Sequence, residues 1–203
     1  MAQDNYKIQA QQAKRHFLTY DHQSITEKLQ LPFDDTYIYV NFLCLPYRIS
    51  KQTGGVEKQI EGNWVEGESF DEVMTLLDLI CDSREDRSLS GKWKSMQDFG
   101  IRFHQNLLEK KRDPIALRFD GEPELLYRAM ERLQGQPVPG CDIGFSVELF
   151  DGLRIGLQFW HGDEEFAPRL RYLWDENALQ YLRYETMYFA VSLLLRRILE
   201  CDK

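Results

Sequence analysis

The sequence predicts an α+β fold, an antiparallel sheet built from two three-stranded meanders, packed by helices and followed by a long C-terminal helix. Three observations carry that expectation. Apolar residues return at helical spacing near both ends of the chain, two groups of β-branched and aromatic segments lie between, and each group gives way to a helical pattern. With 203 residues, 43% of them hydrophobic, and with 12 Phe, 10 Tyr and 4 Trp, the chain is expected to form a single domain over residues 1–203.

Tyr6, Ala10, Ala13, Phe17 and Tyr20 form the stripe of an amphipathic first helix, with Asp4 or Asn5 placed to cap it. Ser24 and Glu27 have capping-box spacing, and Ile25 and Leu29 supply the buried face of a short second helix closed by Pro32. The first meander follows as "TYIYVNFLCL" at 36–45, "YRIS" at 47–50 after Pro46, and "VEKQI" at 56–60 after the turn "TGG". A second capping box, Ser69 with Glu72, opens a helix whose Phe70, Val73, Leu77 and Ile80 share one face. Residues 83–100 are charged and aperiodic and read mostly as loop, 101–110 as helix, and "PIALRF" at 114–119 as a short strand. Pro123 suits the start of a helix in "ELLYRAMERL", and "GQPVPGCD" is a break.

The second meander has a register that the sequence itself constrains. In "DIGFSVELFDGLRIGLQFW" a two-residue loop at Asp151 and Gly152 would set Leu149 opposite Arg154 and turn the two apolar sets to opposite faces. A three-residue loop of Phe150, Asp151 and Gly152 instead pairs Leu149 with Leu153, Val147 with Ile155, Phe145 with Leu157 and Ile143 with Phe159. One further step sets His161 opposite Cys141. "RLRYLW" at 169–174 supplies the third strand, and Asp175 is placed to cap the final helix through about residue 199.

Composition narrows the function classes. A net charge of −8 repels phosphate backbones, and the short basic clusters "KKR" at 110–112 and "RR" at 196–197 make no groove, so nucleic acid is not an expected partner. The apolar run "MYFAVSLLL" at 187–195 falls short of the roughly 20 residues that cross a bilayer, and the N-terminus lacks a signal-peptide pattern. Cys44, Cys81, Cys141 and Cys201 are scattered without a C-x-x-C pair, which fits a reduced, cytoplasmic protein rather than a zinc ribbon or disulfide framework.

Two groups of residues are candidates for chemistry. "HGDEE" gathers His161, Asp163, Glu164 and Glu165 near Cys141, so that imidazole, carboxylate and thiolate ligands for zinc or iron stand at one hairpin end, with Cys141, His161 and Asp163 as the metal set. An exposed turn, with glycine for the bend and acids for solubility, has the same composition. Glu185 sits among Tyr181, Leu182, Tyr188 and Phe189 on the final helix, where desolvation would raise its pKa, or it belongs to a polar seam with Ser192 and Arg196. "SGKWK" at 90–94 lacks the upstream glycine and the following Ser or Thr of a phosphate loop, and His16 and His22 are too far apart for a ligand pair on one helical turn. No motif implies a cofactor.

"GKW" at 91–93, "FWHGDEEF" at 159–166, Pro168, "LWD" at 173–175, Tyr181, Leu182 and Glu185 together resemble a family of anaerobe proteins known as a domain of unknown function. The chain departs from that pattern at Gln134, where Leu-Gly-Gly is usual, and at Gln180, where a histidine is frequent. The resemblance implies a link to redox or corrinoid metabolism, because some such proteins adjoin an iron–sulfur domain. The resulting expectation is a non-catalytic binding or accessory module for a small ligand or partner protein. The alternative is a metal- or carboxylate-dependent enzyme that uses His161, Asp163, Glu164, Glu165 and Glu185.

Overall fold

A computed structural model describes residues 2–67, 69–99 and 113–202. The chain gathers into two compact units, Met1–Ser88 with Leu179–Leu193, and Leu89–Ala178 with Leu194–Lys203.

The first unit opens with α1 (Ala2–Phe17) and α2 (His22–Leu29). Asp21, rather than the expected Ser24, caps α2, because its carboxylate accepts both the Gln23 N–H and the Ser24 hydroxyl. A four-stranded antiparallel sheet follows in sequence order, β1 (Tyr37–Phe42), β2 (Leu45–Ser50), β3 (Val56–Ile60) and β4 (Asn63–Glu66). The expected three-strand meander is thus corrected twice. The run 36–45 is not one strand, since Leu43 and Cys44 take φ of 47° and 58° and turn it back on itself. That conformation is costly outside glycine, and the burial of Leu43 at 2% exposure offsets it. Pro46 then falls inside β2, one residue before β3 begins to pair at Tyr47, so its missing N–H leaves no ladder bond open. The fourth strand is added through Glu61 and Gly62, with φ of 49° and 81°.

After the sheet comes α3 (Phe70–Asp82), capped as expected by Ser69, whose hydroxyl accepts from the Glu72 N–H. Glu72 also accepts from Tyr47 at 2.8 Å and from Lys58 at 2.7 Å, which ties the first turn of the helix to the sheet. The core of this unit includes Phe17, Ile38, Ile49, Val56, Leu76 and Ile80, all buried.

The second unit carries a five-stranded antiparallel sheet in place of the expected three. Its strands are β5 (Trp93–Ser95), β6 (Gln136–Pro137), β7 (Ile143–Phe150), β8 (Leu153–Trp160) and β9 (Arg169–Asp175), in the order β5-β9-β8-β7-β6. Both additions are edge strands of two or three residues, too short to show periodicity. The register of β7 with β8 holds at Ile143–Phe159, Phe145–Leu157 and Val147–Ile155, but the turn differs. Asp151 and Gly152 form the two-residue loop after all, with φ of 49° and 78°, and Phe150 pairs with Leu153. A bulge at Leu149 absorbs the odd residue, which is how a two-residue turn coexists with a uniformly apolar face.

"PIALRF", expected as a strand, is the helix α4 (Pro114–Gly121), with Asp113 accepting the Ile115 N–H and Pro114 at the first position, where no donor is needed. The α5 helix (Glu124–Arg132) follows Pro123. The helix expected over 101–110 lies outside the described residues. The long C-terminal helix α6 spans Tyr184–Glu200 and starts nine residues after Asp175, its expected cap. Asp175 instead ends β9 and accepts from Ser90, Gly91 and Asn177.

Candidate functional site

The residues that the sequence singles out in the second unit are held by their own neighbours. His161 Nδ1 meets Asp120 Oδ1 at 2.8 Å, and the same oxygen accepts from the Gly162 N–H at 3.3 Å. The His161 backbone N–H donates to Asp142 at 2.8 Å. Asp163 Oδ1 accepts from the N–H groups of Glu165 and Phe166, closing a tight turn beyond which Glu164, Glu165 and Phe166 point to water. The Cys141 thiol, half-buried, turns toward Val138 O, and the paired residues of the hairpin end at Ile143 and Phe159. Glu185 belongs to the other unit and is exposed. Among the described residues, no three His, Cys, Asp or Glu side chains gather as a metal site would require.

Charged groups converge elsewhere, in the first unit. A cavity of about 270 Å³ is lined by Ala13 and His16 of α1, by Leu77, Asp78 and Asp82 of α3, and by Arg183 just before α6. Asp78 and Asp82 are four residues apart on α3 and therefore face the same way. The α3 helix is apolar enough to be buried on most of its girth, so Asp78 is carried inside with it, at 8% exposure.

The hydrogen bonds around this pair form a chain. His16 Nε2 lies 3.2 Å from the Tyr20 hydroxyl, which donates to Asp82 Oδ1 at 2.9 Å. Arg183 spans the two carboxylates, with Nε 3.1 Å from Asp78 Oδ1 and Nη2 paired to Asp82. The Arg183 backbone N–H donates to Asp78 Oδ2 at 2.9 Å. Asp78 Oδ1 is wholly buried and accepts no aligned hydrogen bond, so its contact with Arg183 is an ion pair only.

Burial sets the protonation. Desolvation raises Asp78 above the ordinary carboxylate range and outweighs the downward pull of Thr186 and Arg183. Asp82 moves the other way, because against its own desolvation it has Tyr20, Asp78 and Arg183 to stabilise the charge. The two carboxyls are thus pulled in opposite directions, Asp78 toward its neutral form and Asp82 toward its charged one. Burial, with the bond to Asp82, pushes the Tyr20 phenol up to about 12, and burial takes the Cys81 thiol to about 12 as well. Neither is an anion at neutral pH. The site therefore offers a carboxyl pair of unequal acidity, a bridging guanidinium and an apolar wall.

The sequence reading missed this group. Asp78 and Asp82 stand in "LLDLICD", and the signal available was a carboxylate placed inside an apolar helical run, repeated one turn later. By spacing Tyr20 belongs to the stripe of the first helix and His16 makes no ligand pair with His22, and nothing local ties either to α3.

Residues 21–197 match a protein family described as a domain of unknown function, DUF3786. No curated protein and no solved structure matches the chain.

Proposed function

The chain belongs to the DUF3786 family, and we propose that it is a non-catalytic binding or accessory module whose ligand is a small molecule held in the α1–α3 cavity. The observation that carries this reading is the convergence of Asp78, Asp82 and Arg183 on one concave, partly apolar space. A cavity of about 270 Å³ holds the volume of about nine waters, which suits a compact metabolite. A cytoplasmic place in redox or corrinoid-linked metabolism is supported by the resemblance to proteins that adjoin an iron–sulfur domain. No helix among the described residues is long and apolar enough to cross a membrane.

A thermal-shift screen of small metabolites on the wild type and on Ala13→Phe, which fills the cavity from a half-buried position, tests the reading. A ligand at a hundredfold excess over its Kd adds about 2.7 kcal/mol, which raises Tm by roughly 5–10 °C for a chain of this size. The expected result is a ligand that stabilises the wild type and not the variant. Ligands that stabilise both equally would move the site elsewhere.

A second reading, an enzyme or metal protein built on the 161–165 loop, draws on one observation. Asp120 engages Nδ1 of His161, an arrangement that fixes the ring and turns Nε2 outward as a base or ligand. Metal analysis of protein purified without chelator separates the two readings, since stoichiometric metal that is lost in His161→Ala supports the second.

A further inference from the structure

The cavity in the first unit also carries information about the charge of its ligand, an inference that rests on the binding reading above. The carboxylates Asp78 and Asp82 share one wall, and the permanent cation among the lining residues, Arg183, is already spent between them. An anion entering here would meet two carboxyl groups and a guanidinium whose charge is matched. A cation would meet two carboxyl groups on one wall, bridged only by a side chain that is itself open to solvent.

The manner in which Arg183 occupies the pair points the same way. Its side chain is 60% exposed and its guanidinium reaches the carboxylates from outside, while its backbone N–H anchors Asp78 independently of the side chain. The guanidinium can leave without dismantling the backbone contact. Asp78 Oδ1, buried without an aligned donor, is left short of one hydrogen bond by Arg183 Nε. Ala13, Met74 and Leu77 line the same space with apolar surface, enough for a short alkyl body.

We propose that the cavity binds a small organic cation, a short-chain amine or guanidine whose charged end replaces the Arg183 guanidinium between Asp78 and Asp82. The groups that face the pair are His16 from α1 and Tyr20 just after it, Cys81 on α3 itself, Arg183 just before α6 and Thr186 in its first turn, and Lys28 from α2, which donates to the Cys81 carbonyl. Binding therefore exchanges one positive charge between the carboxyls for another, the Arg183 guanidinium moving out into solvent.

Calorimetry with butylguanidine, its neutral isostere butylurea, and butyrate tests the proposal on the full chain. Butylguanidine is expected to bind saturably, at least tenfold more tightly than butylurea or butyrate, to weaken at least tenfold in Asp82→Asn, and to tighten severalfold in Arg183→Ala. Should Asp82→Asn fail to fold, the Arg183→Ala comparison and the isostere ratio decide alone. Butylurea or butyrate binding as tightly as butylguanidine, and lost in Ala13→Phe, overturns the charge class while the binding reading stands. If none of the three binds wild type or Arg183→Ala, the cation proposal is overturned, and the metabolite screen decides the binding reading separately.

Discussion

Tyr20 and Asp82 meet at 2.9 Å, the phenol of one element donating to the carboxylate of another 62 residues away. This bond joins the turn that follows α1 to the acidic wall of the cavity and favours the charged form of Asp82. Tyr20→Phe removes the donor and keeps the ring, so the expected loss is about 1 kcal/mol at neutral pH, measured by urea unfolding. The sign of its pH dependence follows from Asp82, whose folded pKa lies below its unfolded one. That stabilisation is present above the ordinary aspartate value of about 3.8 and fades as pH falls. The difference between variant and wild type is expected to shrink at pH 3, and a difference that grows there would contradict the assignment.

Glu72 provides a second acid-sensitive element. Burial opposes its charge, yet Lys58, Tyr47 and Ser69 together hold its pKa below the ordinary glutamate value. Its contribution is therefore complete above about pH 4.5 and lost as pH drops through the lower folded value. Glu72→Gln, which leaves Lys58 without its partner, is expected to cost about 2 kcal/mol at pH 7 and much less at pH 3. Equal costs at both pH values would show that the charge does not matter.

Two glycines of the second unit are expected to respond oppositely to alanine. A Cβ on Gly144 would fall well inside contact distance of both the Cys141 sulfur and the Val138 carbonyl oxygen, so backbone must shift. Gly144→Ala is expected to cost more than about 2 kcal/mol. Gly121, the last residue of α4, has open space where a Cβ would stand, and Gly121→Ala is expected to be neutral or to stabilise by up to about 1 kcal/mol. Chemical denaturation of both variants checks the ranking.

Asp175 pins the segment 90–91 beside the end of β9. Against its own desolvation, the N–H groups of Ser90, Asn177 and Gly91 and the Ser90 hydroxyl lower its pKa. Asp175→Ala leaves those donors without their acceptor and is expected to cost about 2–4 kcal/mol. Hydrogen exchange is expected to speed first at Ser90 and Gly91, and unchanged protection there would contradict the assigned role.

What the sequence made legible follows a physical line. Long strands whose apolar residues alternate in the sequence, such as β7 and β8, and helices with capping boxes, such as α3, declare themselves locally, so their pairing and caps are legible. Edge strands β5 and β6 are too short for a period, and β4 is nearly all exposed, so no apolar alternation marked it. "PIALRF" is ambiguous between strand and helix by composition, and Asp113-Pro114 was the deciding feature. At Asp151 the apolar register alone favours a three-residue loop, and the bulge at Leu149 that reconciles it with a two-residue turn leaves no mark in the sequence. For sites the gap is wider, because His161 pairs with Asp120, 41 residues distant, and Asp82 with Tyr20, 62 residues distant, and neither spacing is a pattern.

The central claim is that the ligand site lies between α1 and α3. It is tested most directly by mapping amide chemical-shift changes in 15N-labelled protein at saturating concentration of a ligand found by screening. Changes centred on Ala13, His16, Leu77, Asp78, Asp82 and Thr186 are expected. Changes centred on Asp120, His161 and Asp163, with the α1 and α3 signals unmoved, would contradict the account.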